Sequence, residues 1–206
     1  PQLVANVEDE ATGTLSFTGD VEEGGTLTAD TTGISDVDDT NLTFTYQWQL
    51  ADDSSSFDIN SNISGAISSE FTIPSDQTYV DKFIRLTAVS EDIRGGTTLF
   101  ESSPQLIANV EDEAIGTLSF TGTVEEGGTL TAVTSNIVDV DGSLTFTFQW
   151  QLADDSSSFD INSNISGATN STFVIPSDQS YVDKFIRVTA VSSDGRGGTT
   201  SFISSS

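Results

Sequence analysis

Leu42-Thr-Phe-Thr-Tyr-Gln-Trp-Gln-Leu50 alternates apolar and polar residues along its whole length. Leu42, Phe44, Tyr46, Trp48 and Leu50 share one face, and Thr43, Thr45, Gln47 and Gln49 share the other. That period of two is the mark of a strand with one buried face. Leu144 to Leu152 repeats the pattern with Phe148 in place of Tyr46. Trp48 and Trp150 are therefore read as centres of two cores.

The repetition extends over the whole chain. Pro1-Gln-Leu-Val-Ala-Asn-Val-Glu-Asp-Glu10 returns as Pro104-Gln-Leu-Ile-Ala-Asn-Val-Glu-Asp-Glu113. Such a period defines a tandem array, with one structural unit per repeat. The expected division is 1-106 for the first repeat and 107-206 for the second. Repeat 1 runs from Phe100-Glu-Ser-Ser directly into Pro104, whereas repeat 2 reaches Ser206 where the next Pro-Gln-Leu would start. The phase is that of two units taken from a longer array, and Pro1 opens the chain without the pattern of a signal peptide.

Further strands are expected over 13–18, 25–30, 70–73, 83–90 and 97–107, punctuated by Gly24-Gly25, Pro74-Ser-Asp76 and Gly95-Gly96. Only Ser75 to Asp81 has the pattern of a helical turn, with Ser75 as its cap. About seven short strands in about 100 residues, with a tryptophan on a central strand, predict an all-β fold of two immunoglobulin-like Greek-key sandwiches. An extended arrangement is expected, the chain entering each sandwich at one end and leaving at the other.

Composition restricts the chemistry. The 206 residues carry 32 acids against 6 bases, a net charge of −26, with no Cys, His or Met. A Ser-His-Asp triad, a thiol nucleophile and an ordinary zinc site are thereby excluded. Such charge repels nucleic acid and anionic membrane. No apolar run is long enough for a spanning helix, so membrane insertion is not expected. Hard oxygen ligands are plentiful, leaving Ca²⁺ or Mg²⁺ as the fitting metals.

The acids avoid the outward face of the Trp48 strand and gather in the connections. With antiparallel strands in order, Glu111, Asp112, Asp139, Asp141 and Asp194 fall at one end of repeat 2. Glu8, Asp9, Asp36, Asp38 and Asp92 take the same places in repeat 1. Glu22, Asp76 and Asp81 fall at the opposite end of repeat 1, facing the junction. Carboxylates that converge repel one another unless a cation lies between them. Ca²⁺ at the repeat junction is the expected cofactor.

Ala5-Asn-Val-Glu-Asp-Glu-Ala-Thr-Gly13, Ser35-Asp-Val-Asp38, Tyr46-Gln-Trp-Gln49, Gly65-Ala66, Tyr79-Val-Asp-Lys-Phe-Ile-Arg85 and Asp92-Ile-Arg-Gly-Gly96 occur in that order. In order and spacing they resemble the cadherin-like or immunoglobulin-like tandem repeats of very large bacterial RTX and biofilm adhesins. The resemblance covers both copies. It implies Ca²⁺ at repeat junctions and carries the ligand role onto Asp9 and Asp112, Asp36 and Asp139, Asp38 and Asp141, and Asp92 and Asp194. The chain departs from that pattern at Glu8-Asp9-Glu10-Ala11, where the family has Asn-Asp-Ala-Pro, and at Asp39, where it has Gly.

The function expected is that of structural extender repeats of an extracellular, bacterial cell-surface adhesin, stiffened by Ca²⁺, with neighbouring repeats as partners. It is not the reading of an enzyme, because no catalytic signature accompanies the acids. The alternative is a carbohydrate- or partner-binding adhesion module, for which Ala51 to Phe57 and Asn60 to Asn62 are the candidate loops; a glycan or protein ligand could equally lie elsewhere in the parent protein. Lys82 and Lys184, each beside an aspartate, are read as surface residues in preference to isopeptide donors.

Overall fold

A computed structural model describes residues 1–37 and 39–205. The chain divides into two compact units, Pro1–Val110 and the remainder from Glu111. All its sheets are antiparallel. Unit 1 contains β1 (Thr12–Gly13), β2 (Ser16–Gly19), β3 (Thr26–Asp30), β4 (Ile34–Ser35), β5 (Thr43–Ala51), β6 (Glu70–Thr72), β7 (Phe83–Glu91), β8 (Thr97–Glu101) and β9 (Gln105–Leu106). Unit 2 contains β10 (Ser119–Gly122), β11 (Thr129–Val133), β12 (Thr145–Ala153), β13 (Thr172–Val174), β14 (Phe185–Ser193) and β15 (Thr199–Ile203).

In unit 1, sheet β2-β3-β6 faces sheet β5-β7-β8, and β1 pairs with β4. Leu15, Phe17, Leu27 and Ile73 from one side meet Trp48, Ile84, Leu86 and Ala88 from the other in one core. Trp48 is fully buried, and Phe17 meets its ring edge-on at 5.3 Å while Phe71 stacks at 5.8 Å. Such pairs contribute about 0.5–1.5 kcal/mol beyond area burial. Its indole N–H donates to the Ser68 carbonyl at 3.0 Å, leaving no buried donor unpaired. Unit 2 repeats the arrangement, with sheets β10-β11-β13 and β12-β14-β15 around Trp150.

The outer face of β5 differs from a solvated one. Gln49 is as buried as a core residue, its amide donating to Asn62 Oδ1 at 2.7 Å and its Oε1 accepting from Arg85 Nε at 2.6 Å. Gln47 donates to the Ile63 carbonyl. These bonds hold the stretch after β5 along the strand, where Trp48 N–H donates to Ala66 O and Ile63 N–H to Trp48 O. A 3-10 turn over Ile59–Ser61, capped by Asp58, starts that stretch. The candidate binding loops are thus tied to the sheet by the glutamines. Gln151, Asn164 and Arg187 do the same in unit 2.

Three sequence expectations shift. The strand expected over 97–107 breaks into β8 and β9: Ser102 is buried, and its hydroxyl accepts from Leu86 N–H at 2.8 Å. The register against β7 slips by one residue across the break, from Thr87↔Glu101 to Ile84↔Gln105. That is a bulge, at a point where Pro104 has no N–H to give the ladder. The unit boundary falls after Val110 instead of after Leu106, because Ile107 is fully buried in the first core. The helical turn appears only in unit 2, over Gln179–Tyr181, and its cap is Asp178, whose counterpart is Asp76 and not Ser75. The lysines ion-pair with exposed Asp52 and Asp154, a surface role.

Removing the central indole leaves a cavity between the sheets, and truncations of buried aromatics cost about 3–5 kcal/mol. Trp150→Ala is expected to give an early transition in urea, followed by circular dichroism, that the parent lacks.

Candidate metal centre

The hairpin loop between β14 and β15, Asp194-Gly195-Arg196-Gly197-Gly198, folds around one carboxylate. Asp194 Oδ1 accepts from the amides of Arg196 at 2.5 Å, Gly197 at 3.0 Å and Gly198 at 3.3 Å. Positive φ at Gly195 and Gly197 permits the turn. Gly198 leaves space for the site itself, since a Cβ there would collide with Glu111 Oε1 and Asp194 Oδ2.

Asp194 Oδ2 is left buried and without a hydrogen-bond donor. Carboxylate oxygens of Glu111, Asp141 and Asp194 all lie within 4.8 Å of one another. Glu111 comes from the leading segment, Asp141 from the β11–β12 connection and Asp194 from the hairpin loop. Asp141 is buried, accepts from Asp112 N–H at 2.7 Å, and donates its own N–H to Asp139 Oδ1 at 2.8 Å. Five acids scattered in sequence are held in one network, with Asp112 contributing its backbone N–H.

Charge at the centre is unbalanced. The Glu111 carboxyl is pushed from an ordinary 4.5 up to about 7, first by desolvation, then by hydrogen bonding to and repulsion from Asp194, then by the charges of Asp141 and Asp139. The Glu111 side chain as a whole is exposed, so the desolvation is local to its contact with the neighbouring carboxylates. Asp194 is held below the usual range, chiefly by the Arg196 amide and further by Gly197 and Glu111, against the opposing effect of burial. One proton is thus shared by two carboxyls that cannot both ionise freely.

Unit 1 builds half of this. Asp92 is buried, and its Oδ1 accepts from Arg94 N–H at 2.6 Å and Gly96 N–H at 3.1 Å. Burial opposes its ionisation, but hydrogen bonding from Glu8 and these amides brings its pKa below the ordinary value. Asp39 bonds the Ile93 N–H at 2.9 Å and joins the two loops. Asp38, the counterpart of Asp141, lies outside the described residues. Asp36 is half-buried and Asp9 exposed; among the described residues neither joins a three-carboxylate group with Glu8 and Asp92.

Acids at the opposite end of unit 1 serve other ends. Asp76 closes a local turn by accepting from Thr78 N–H at 2.9 Å and from the Thr78 hydroxyl. Asp81 takes a left-handed conformation, φ 63°, and its N–H donates to Ile107 O. Glu22 bridges Ala108 through the backbone. Among the described residues none of the three belongs to a three-carboxylate group. Glu23, absent from the sequence-derived candidates, is the buried one, accepting from Val110 N–H at 2.9 Å and Gln77 Nε2 at 3.1 Å. Asp30, Asp53, Asp58, Asp155, Asp160 and Asp178 also close Asx-type turns, which lower their pKa values. Many loop acids are therefore turn formers, a use that their clustering in sequence does not separate from cation binding.

The donor set at Glu111, Asp141 and Asp194 is all hard oxygen, short of positive charge and short of a donor, which fits Ca²⁺ or Mg²⁺. The chain matches no family model and no curated protein sequence.

A carboxyl with a folded-state pKa above its unfolded value stabilises most below the unfolded value, and that contribution disappears as pH rises through the folded one. In chelator, the melting temperature of unit 2 is expected to fall as pH rises from about 4.5 to about 7, by a small amount because solvent screens an exposed group. Glu111→Gln should flatten this part of the profile in a calorimetric pH series.

Proposed function

We propose that the chain is a pair of immunoglobulin-like, cadherin-like Greek-key repeats from an extracellular bacterial adhesin, acting as a spacer whose loops are ordered by Ca²⁺. The observation that carries this reading is the convergence of Glu111, Asp141 and Asp194, with Asp194 Oδ2 buried and lacking a donor and Glu111 holding its proton up to about 7. A divalent cation supplies the positive charge that this proton now supplies. Glu111, Asp141 and Asp194 would hold it, and Asp139 and the Asp112 amide would orient Asp141. The fold reading is supported by facing antiparallel sheets around one tryptophan in each repeat.

A spacer needs repeats that fold alone and loops that stiffen outside the cell, where calcium is plentiful. Core residues around Trp48 and Trp150 are complete without metal, so the cation acts on the loops and not on the sheets. Near-identical tandem copies suit a role in length more than one in selective binding. In this reading the cation also fixes the connection between neighbouring repeats.

Ligand that binds only the folded state adds RT ln(1 + [L]/Kd), about 2.7 kcal/mol at 100 Kd. Millimolar calcium is expected to raise the melting temperature above that in chelator and to abolish the pH dependence assigned to Glu111. Asp141→Ala with Asp194→Ala should remove both effects while the sheets remain. An unchanged melting temperature would overturn the cation reading. Stiffening is read separately from inter-repeat residual dipolar couplings, which should lose their calcium dependence in Asp112→Ala/Asp141→Ala.

A further inference from the structure

The two repeats differ most at the end remote from the carboxylate centre, although their sequences there are nearly the same. In repeat 1 the stretch Pro104-Gln-Leu-Ile-Ala-Asn-Val110 covers that end. Ile107 is 0% exposed within the core. Its N–H donates to Lys82 O at 2.8 Å and its carbonyl accepts from Asp81 N–H at 3.1 Å. Ala108 donates to Val21 O and accepts from Glu23 N–H, and Leu106 lies opposite Phe83 in the β9–β7 pairing. The segment is an added edge strand with one deep apolar plug.

In repeat 2 the same elements line an open groove of about 300 Å³, formed by Val124, Ile175, Tyr181, Val182, Lys184 and Ile186. Val182 is 41% exposed where its counterpart Val80 is 6% exposed, and Val124 is 60% exposed. Among the described residues no backbone carbonyl accepts from the amides of Glu126 or Asp183, the counterparts of Glu23 and Asp81. The groove thus offers an apolar hole flanked by a strand edge.

A matching plug exists elsewhere in the chain. Pro1-Gln-Leu-Val-Ala-Asn-Val7 is the segment of Pro104 to Val110 with Val4 in the place of Ile107. Its apolar side chains are uncovered, Leu3 at 97%, Val4 at 92% and Val7 at 79%. We propose that the repeat 2 groove takes the Pro1–Val7 segment of a second copy of the chain, with Val4 seated where Ile107 sits in repeat 1. The mode is strand addition, in which backbone bonds supply affinity and the side-chain hole supplies selectivity. Donor and groove are different surfaces, so the contact is heterologous and each copy can both give and receive, forming linear head-to-tail chains.

The test is sedimentation velocity across a concentration series at physiological salt in chelator, which keeps the outcome independent of the cation reading. Parent protein should show pairs and longer species that grow with concentration. Val4→Asp spoils the donor and Val124→Lys spoils the groove; both positions are exposed, and each variant alone should sediment as a monomer. An equimolar mixture should form pairs and nothing longer, since only one donor and one groove remain competent. A parent that stays monomeric throughout, or a mixture that fails to pair, overturns the proposal.

Discussion

Each repeat depends on one indole held between two sheets. With no cysteine to cross-link them, the sheets are joined only by what they bury, and Trp48 and Trp150 are the largest fully buried side chains. The indole N–H must be satisfied inside that core, and a backbone carbonyl from the stretch before β6 or β13 does so. This requirement fixes more than packing. It draws the chain after β5 and β12 back across the sheet, where Gln47, Gln49 and their counterparts take over with side-chain bonds. A buried polar network is stabilising only when all its members are paired, and here amide, guanidinium and backbone groups complete one another.

Acidic residues divide between two uses that look alike in sequence. Most aspartates in the connections accept from an amide two residues ahead and shape a turn, as Asp76 does with Thr78. Such carboxylates are satisfied by the backbone and have no need of a cation. Asp194 begins the same way, with one oxygen taken by the loop amides, but its other oxygen is buried against Glu111. The distinction lies in what faces the second oxygen. Water or a hydroxyl leaves a turn; another carboxylate leaves a pair that must hold a proton or a positive ion.

The repeats also show how one sequence is finished differently by its surroundings. Asp81 and Asp183 share a left-handed backbone, φ 63° and 62°, although only Asp81 has the Ile107 carbonyl to donate to. The groove is therefore shaped by its own elements and does not require the covering strand to hold its form. Ile175 and Ile186 remain buried beneath it.

Alternation at Leu42 to Leu50 determined the central strand and its buried face, because period two admits no other regular element. The tandem period determined that there are two units, because each copy carries a full set of core residues. Convergence of Glu111, Asp139, Asp141 and Asp194 was legible from strand order alone, since successive antiparallel connections alternate between ends. Tertiary structure decided the rest. It buried Gln49 on a face that alternation assigns to solvent, because a neighbouring segment folds over it. It broke the last strand at Ser102, where a hydroxyl replaces a backbone acceptor, and carried the unit boundary past Ile107, whose side chain completes the first core. It also separated Asp76 and Asp81 from the carboxylate centre, because an aspartate's role depends on which donor lies within about 3 Å of its oxygens, and composition does not contain that distance.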